Sequence, residues 1–373
     1  MEIVFLRANN FCNFKDISVN TKANNIFLIG KNGQGKTNFL EALYFCAYAS
    51  SFRGYSDKDI VKKESKNFSA YIKINDTLQN INRDVLIKFE NNKKQVFLDG
   101  KKITDRKELL SIIPCIIFCH EDMEFVIGSP ERRRWFFDQV LSLYDPIYLD
   151  DLRCYRKAIK SRNSILRDNL HQKTNSNVIM LLDALDQQCI FYGKKLIEKR
   201  QNASLLFSEI YSELFIKVTG ITGMTVQYVP SWKNTNENEI FKFMVMRRPV
   251  DMASGISLTG PHRDKYIFTL NGEEYTSNAS TGQRRLLALL LRVAQASHFM
   301  KKTGKKPILL LDDVLLEMDG EKRSRFIAAL PDYDQAFFTF LPEEPFQSYQ
   351  KKDTLVYHVQ EGNFVEYTGQ EKK

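Results

Sequence analysis

Residues 30–37 read Gly-Lys-Asn-Gly-Gln-Gly-Lys-Thr and satisfy the pattern G-x-x-x-x-G-K-[ST] at every fixed position. A loop of this kind cradles phosphate. Its backbone N–H groups converge on an anion, and the positive end of the following helix adds to the attraction. Gly30, Gly33 and Gly35 let the chain turn tightly and approach a ligand, and Lys31, Asn32 and Gln34 complete the loop. Lys36 is placed to neutralise β- and γ-phosphates, and Thr37 to offer its hydroxyl to Mg2+. A second element lies at 308–313, Ile-Leu-Leu-Leu-Asp-Asp. Two carboxylates at the C-terminal end of a buried strand suit a bound metal and a water: Asp312 for Mg2+, Asp313 to orient or deprotonate the attacking water. Lys36, Asp312 and Asp313 are the catalytic candidates. A third element is Ser280-Thr-Gly-Gln at a helix start, where Ser280, Gly282 and Gln283 form another anion-binding N-terminus.

These residues need a frame. The apolar run 26–29 predicts a buried strand before the loop, and the run from Thr37 onward predicts a helix after it. Residues 2–128 alternate as mixed sheet, with Asp99-Gly100 as a hairpin turn. The pattern becomes helical at Ser129-Pro130, a cap followed by a first-turn proline, and stays so to about residue 218. A polar break at 168–177 splits this stretch into two long helices. Strands return after Gly220, near 225–229 and 266–270, with Asn271-Gly272 as a turn; a helix over 283–299 and strands at 308–311 and 336–340 follow. The expected fold is α/β: an ATPase head of mixed sheet and helices built from 1–128 and 219–373, carrying an inserted antiparallel helical arm over 129–218. The last four residues, from Gln370, are expected to fray.

Composition narrows the partners. The chain has 373 residues, 43% hydrophobic, with 27 Phe and 16 Tyr, so it can bury a large core. Its net charge of +9 favours a polyanion, nucleic acid above all. On the arm, Arg153, Lys157 and Lys160 share a helix face by spacing, and Arg156 adjoins it. These four are the DNA-binding candidates, although Asp150, Asp151 and Asp168 flank them and a plain solvated face has the same look. Six cysteines show no zinc spacing and read as free thiols in a reducing compartment. No apolar run is long enough to span a membrane, so a cytoplasmic protein without a membrane partner is expected. His262, in Pro-His-Arg-Asp, is read as part of a polar cluster at a turn and not as a catalytic group.

The order of the motifs resembles ABC-type ATPases: phosphate loop, long insertion, Ser-x-Gly-Gln helix, Asp-Asp strand. In that class the Ser-x-Gly-Gln turn of one subunit completes the ATP site of another, and Glu317-Met-Asp319 stands where the class keeps a dimer-contacting loop. The resemblance narrows to the RecF family of bacterial recombination mediators. It is carried by Gly33-Gln-Gly-Lys-Thr-Asn-Phe-Leu-Glu-Ala-Leu-Tyr-Phe45 with Ser51-Phe-Arg53, and by Glu121-Asp-Met-Glu-Phe-Val-Ile-Gly-Ser-Pro-Glu-Arg-Arg-Arg-Trp-Phe-Phe-Asp138. Asp145-Pro-Ile-Tyr-Leu149 and Leu258-Thr-Gly-Pro-His-Arg-Asp264 extend it, in the family's order. The chain departs from the family's usual residues at His120, at Leu316 and at Arg284-Arg285.

The resemblance implies an ATP- and Mg2+-dependent homodimer on DNA near single-strand gaps, with slow ATP hydrolysis. It further implies work with RecO and RecR to load RecA in DNA replication, recombinational repair and the SOS response. A nucleotide-gated DNA clamp without meaningful hydrolysis and the ATPase subunit of a transporter remain as alternatives at this stage.

Overall fold

The computed structural model describes residues 1–76, 81–170, 176–234, 236–276, 279–314 and 320–367. The expected dimer-contacting loop Glu317-Met-Asp319, the departure at Leu316 and the tail from Gln370 lie outside the described residues. The chain divides into two compact units, 1–122 with 299–373, and 123–298.

The first unit holds two six-stranded sheets. In one the strands run in the order Asn363–Glu366, Thr354–Gln360, Asn25–Ile29, Gln335–Phe340, Ile308–Leu311, Cys115–Phe118. All but the edge hairpin strand pair in parallel, with Phe337 opposite Ile26, and Leu309 opposite both Ala336 and Ile116. Parallel strands covered on both faces need continuous apolar runs, and Asn25–Ile29, Ile308–Leu311 and Gln335–Phe340 are buried at every residue. The other sheet is antiparallel, in the order Asp16–Asn20, Glu2–Asn9, Phe68–Asp76, Ile81–Glu90, Lys93–Leu98, Lys101–Ile103. Its strands alternate, so that Ala70, Ile72, Val85 and Ile87 face a shared core with the helix Lys36–Tyr48. Phe11, Phe45 and Phe68 meet edge to face inside that core, with ring centroids 5.5–5.8 Å apart. Asp99 and Gly100 take positive φ, 49° and 74°, as the predicted two-residue hairpin requires.

The second unit is helical around a small sheet. Ser129 caps Pro130–Ser142, accepting from the N–H of Arg132, and Asp145 caps Pro146–Asp168 by accepting from the N–H of Tyr148. The arm helices Pro146–Asp168 and Ser176–Thr219 pack side by side, and Glu237–Ser254 packs on both. Met224–Val229 and Lys265–Leu270 pair antiparallel, with Glu273–Glu274 at the edge beyond the predicted Asn271-Gly272 turn.

The unit boundaries correct the expected ones at 128 and 219. The strands after Gly220 form a sheet of their own within 123–298 and do not join those of the first unit. Trp232, Ile240 and Met244 bury into the same core as Tyr148, Tyr155 and Leu196 of the arm helices. Residues 219–298 thus belong with the arm because their apolar side chains are buried there.

Candidate nucleotide-binding site

The phosphate loop leaves the end of Asn25–Ile29 and enters the helix Lys36–Tyr48. A side chain at Gly30 would meet the carbonyl oxygen of Val359 on the neighbouring strand at 2.4 Å. Gly35 holds φ at 116° beneath Asn13 and Phe14 and gives the helix no side-chain cap, leaving its first N–H groups for another acceptor. Gln34 is pinned from the side: its side-chain oxygen accepts from the N–H of Glu361 at 2.7 Å, and its carbonyl accepts from the N–H of Gly362 at 2.9 Å.

Lys36 is only 3% exposed, and its ammonium donates to the carbonyls of Gly30 at 2.6 Å and Lys31 at 3.2 Å. The charge is folded into the loop that a phosphate would fill. Thr37 donates its hydroxyl to Asp312 at 2.9 Å, so the two groups assigned to a metal from opposite ends of the sequence touch. Asp312 follows Ile308–Leu311 directly, two strands away from the loop strand.

The strand between them, Gln335–Phe340, supplies a residue that the sequence reading missed. Thr339 donates to the Asp313 carboxylate at 2.8 Å and accepts from the Asp313 N–H at 2.7 Å; Asp312 lies 3.3 Å from the same hydroxyl. The signal for it was one polar residue near the C-terminal end of an otherwise apolar strand. Asp313 sits at φ 49°, a left-handed conformation that Asp tolerates. Burial, joined by the negative charge of Asp313, pushes the Asp312 carboxyl up to about 7. A hydroxyl, a backbone loop and a carboxylate held near neutrality form a hard oxygen donor set, which fits Mg2+.

A second layer braces the loop helix. Asn38 donates to Asn13 at 2.7 Å, and Arg53 donates to Asn38 at 2.8 Å and to Glu41 at 3.0 Å. Glu41 is fully buried, and burial raises its pKa against the opposing charge of Arg53. The Ser51-Phe-Arg53 block therefore anchors the inner side of the loop helix.

Ser280, Gly282 and Gln283 lie exposed in the second unit, at the start of the helix Thr281–Thr303. They form a reciprocal cap: the N–H of Ser280 donates to the Gln283 side chain at 2.8 Å, and the N–H of Gln283 donates to the Ser280 hydroxyl at 3.3 Å. Nothing protrudes beyond Gly282, where an added Cβ would meet no atom within 4 Å.

The basic stripe is split. Arg153 pairs with Asp150 at 3.6 Å and Arg156 with Asp138 at 3.1 Å, while Lys157 and Lys160 are exposed on the same helix. The family-like blocks meet elsewhere, around Arg200. This buried side chain donates to Asp138 at 2.7 Å, to Asp264 at 2.8 Å, to the carbonyl of Pro261 at 2.8 Å and to the hydroxyl of Tyr148 at 3.0 Å. Arg134 donates to the carbonyl of Asp264, and Arg133 to that of Tyr266. Nearby, Nε2 of His262 lies 3.0 Å from the Ser257 carbonyl, which can only accept, so Nε2 carries the proton and Nδ1 accepts from Tyr155 at 2.7 Å. Burial, aided by the charges of Arg263 and Arg134, holds His262 down at about 4, a neutral part of the cluster as expected. All six cysteines are free.

The sequence pattern of the family described as RecF/RecN/SMC N terminal domain matches residues 2–363. A protein of Treponema pallidum named DNA replication and repair protein RecF is 40% identical over 96% of this chain and 99% of its own length. The chain belongs to the RecF family. A namesake from Clostridium kluyveri is 32% identical over 91% of this chain and 92% of its own. Among solved structures, that of the recombination mediator protein RecF with ATP superposes with a TM-score of 0.88 at 24% identity, covering 98% of both chains. An SMC head domain from Pyrococcus furiosus superposes at 0.56 and 16% identity, covering 98% of this chain and 96% of its own, a likeness of fold alone. Both place this chain in the mixed α/β P-loop ATPase fold with helical insertions. Among the described residues no helix is long and apolar enough to cross a membrane.

Proposed function

We propose that this RecF-family chain is an ATP-dependent DNA-binding protein that dimerises on ATP, acts at single-strand gaps in DNA replication and repair, and works with RecO and RecR in loading RecA. The observation that carries the ATP part is the Thr37–Asp312 contact with Thr339 beside it, where a helix start, a strand end and the strand between them bring oxygens to one point. Lys36 would exchange the loop carbonyls for the β- and γ-phosphates, and the backbone N–H groups of residues 33–37 would hold the remaining phosphate oxygens. Thr37 and Asp312 would hold Mg2+, which supplies charge neutralisation across the phosphates when bound. Asp313, oriented by Thr339, would position a water and take its proton, giving slow hydrolysis. The exposed cap of Ser280, Gly282 and Gln283 would reach the γ-phosphate of a second copy's nucleotide.

Sedimentation of the wild type and Ser280→Arg, with ATP and with or without gapped DNA, tests this. The wild type should dimerise with ATP and associate with the DNA. The variant should bind ATP as well as wild type and remain monomeric. A variant that still dimerises with ATP would remove the composite site.

A further inference from the structure

A cavity of about 610 Å³ opens between the two arm helices, within the range of sites that hold small organic groups. Cys154 and Lys157 border it from Pro146–Asp168; Gln187, Gln188, Phe191 and Tyr192 border it from Ser176–Thr219. Its chemistry is selective. The lining carries a lysine and no carboxylate, so it offers positive charge and no counter-charge to a cation. Phe191 is 51% exposed and leaves ring surface open to a ligand, and the ammonium of Lys195 lies 4.1 Å from its centroid. Two neighbouring amides each offer a donor pair and an acceptor. Lys160, exposed one turn beyond Lys157, extends the positive wall.

A planar heterocycle with hydrogen-bonding edges and an attached phosphate matches each of these features. We propose that this groove receives an unpaired base of a DNA strand. The base stacks on Phe191, Gln187 and Gln188 meet its edge, and Lys157 and Lys160 take the flanking phosphates. The proposal rests on the reading that the chain binds DNA, and it adds a preference for unpaired bases. A duplex keeps its bases stacked and cannot enter the groove.

Cys154 reports on the site. It is exposed at the rim, Cys46, Cys115, Cys119 and Cys189 are buried, and burial pushes the half-buried Cys12 thiol up to about 11. The full chain with ATP is alkylated by a maleimide in the presence of a saturating single-stranded 20-mer or the duplex of the same sequence. Binding of each is followed separately by fluorescence anisotropy. The single strand should slow Cys154 labelling and the duplex should not. Phe191→Ala should weaken single-strand binding by roughly five- to a hundredfold and leave duplex binding unchanged, while Phe191→Tyr, which keeps a ring, should retain binding. Equal protection by duplex, single-strand binding without protection, or unaltered affinity in Phe191→Ala each overturns the inference, and leaves the groove to a protein side chain. If neither DNA binds at all, the DNA-binding reading fails and this inference fails with it.

Discussion

In the first unit Lys36 turns its ammonium to two backbone carbonyls of its own loop, and Thr37 turns its hydroxyl to Asp312. In the second unit Arg200 divides its guanidinium among Asp138, Asp264, a carbonyl and a tyrosine hydroxyl. Both are charged side chains that the fold takes out of water. They differ in what surrounds them. Arg200 meets two full negative charges, so the cluster is compensated from within and needs no ligand. Lys36 hydrogen-bonds to neutral carbonyls, with the Glu344 carboxylate acting on it only through space, and burial pushes the Asp312 carboxyl up to about 7 with Arg53 as only a minor opposing charge. Charges balanced by the chain hold a structure together; charges balanced only by dipoles wait for a ligand. Two of the blocks that carry the family resemblance, those ending at Asp138 and Asp264, fall in the first category. The common phosphate loop falls in the second.

The sharpest way to break this contrast is Arg200→Ala. It strands two buried carboxylates and should cost about 3–5 kcal/mol of stability, read by denaturant unfolding followed by fluorescence, while ATP affinity of the folded fraction stays unchanged. A small loss would mean that water reaches the cluster and that it does not hold the unit together. His262 sharpens the comparison inside the second unit. Its folded-state value of about 4 lies below the ordinary 6.5, so the unfolded chain binds the extra proton between those values. The stability that neutral His262 contributes is complete above pH 6.5 and is lost as pH falls toward 4, up to about 3 kcal/mol. His262→Gln should flatten that part of a melting-temperature profile between pH 4.5 and 7.5; an unchanged slope would assign it to other groups. The smallest effect in free energy is expected at the loop. Lys36→Ala should weaken ATP binding at least tenfold, about 1.4 kcal/mol, in an isothermal titration, with little change in melting temperature without nucleotide. Loss of fold in that variant would put Lys36 with Arg200.

Much of the nucleotide site was legible because its geometry is local. The glycines, Lys36 and Thr37 are consecutive, and Asp312 and Asp313 follow an apolar run that can only be a covered strand. Thr339 was not legible, because its role depends on which strand lies between the other two, and strand order is a long-range outcome. The helical stretch was legible from the Ser129-Pro130 cap and the polar break at 168–177, although the first of the two expected long helices is broken once more between Ser142 and Pro146. The helix Glu237–Ser254 was missed: it begins in an asparagine-rich stretch with Asn236 as its cap and carries Pro249 inside, both of which read locally as breaks. The unit boundary was misplaced for a related reason. Strands such as Met224–Val229 look alike whichever sheet they join, and only the burial of Trp232 with the arm helices decides it. Arg200 gave no local sign at all, since its four partners come from three separate segments.

The hairpin contact that pins Gln34 has a consequence for the growing chain. The loop strand Asn25–Ile29 pairs with Gln335–Phe340 and Thr354–Gln360, and the buried amide of Gln335 ties itself to Ile3 across 332 positions of sequence. On a ribosome the loop strand has no neighbour of its own sheet until nearly everything else has been made. Residues 123–298 are contiguous and can fold as they emerge. The phosphate loop is then assembled last, when the turn at Glu361 and Gly362 arrives to clamp it. The clamp on Gln34 can therefore form only once the chain has been translated past Gly362, so the two ends of the first unit are coupled in the order of their folding.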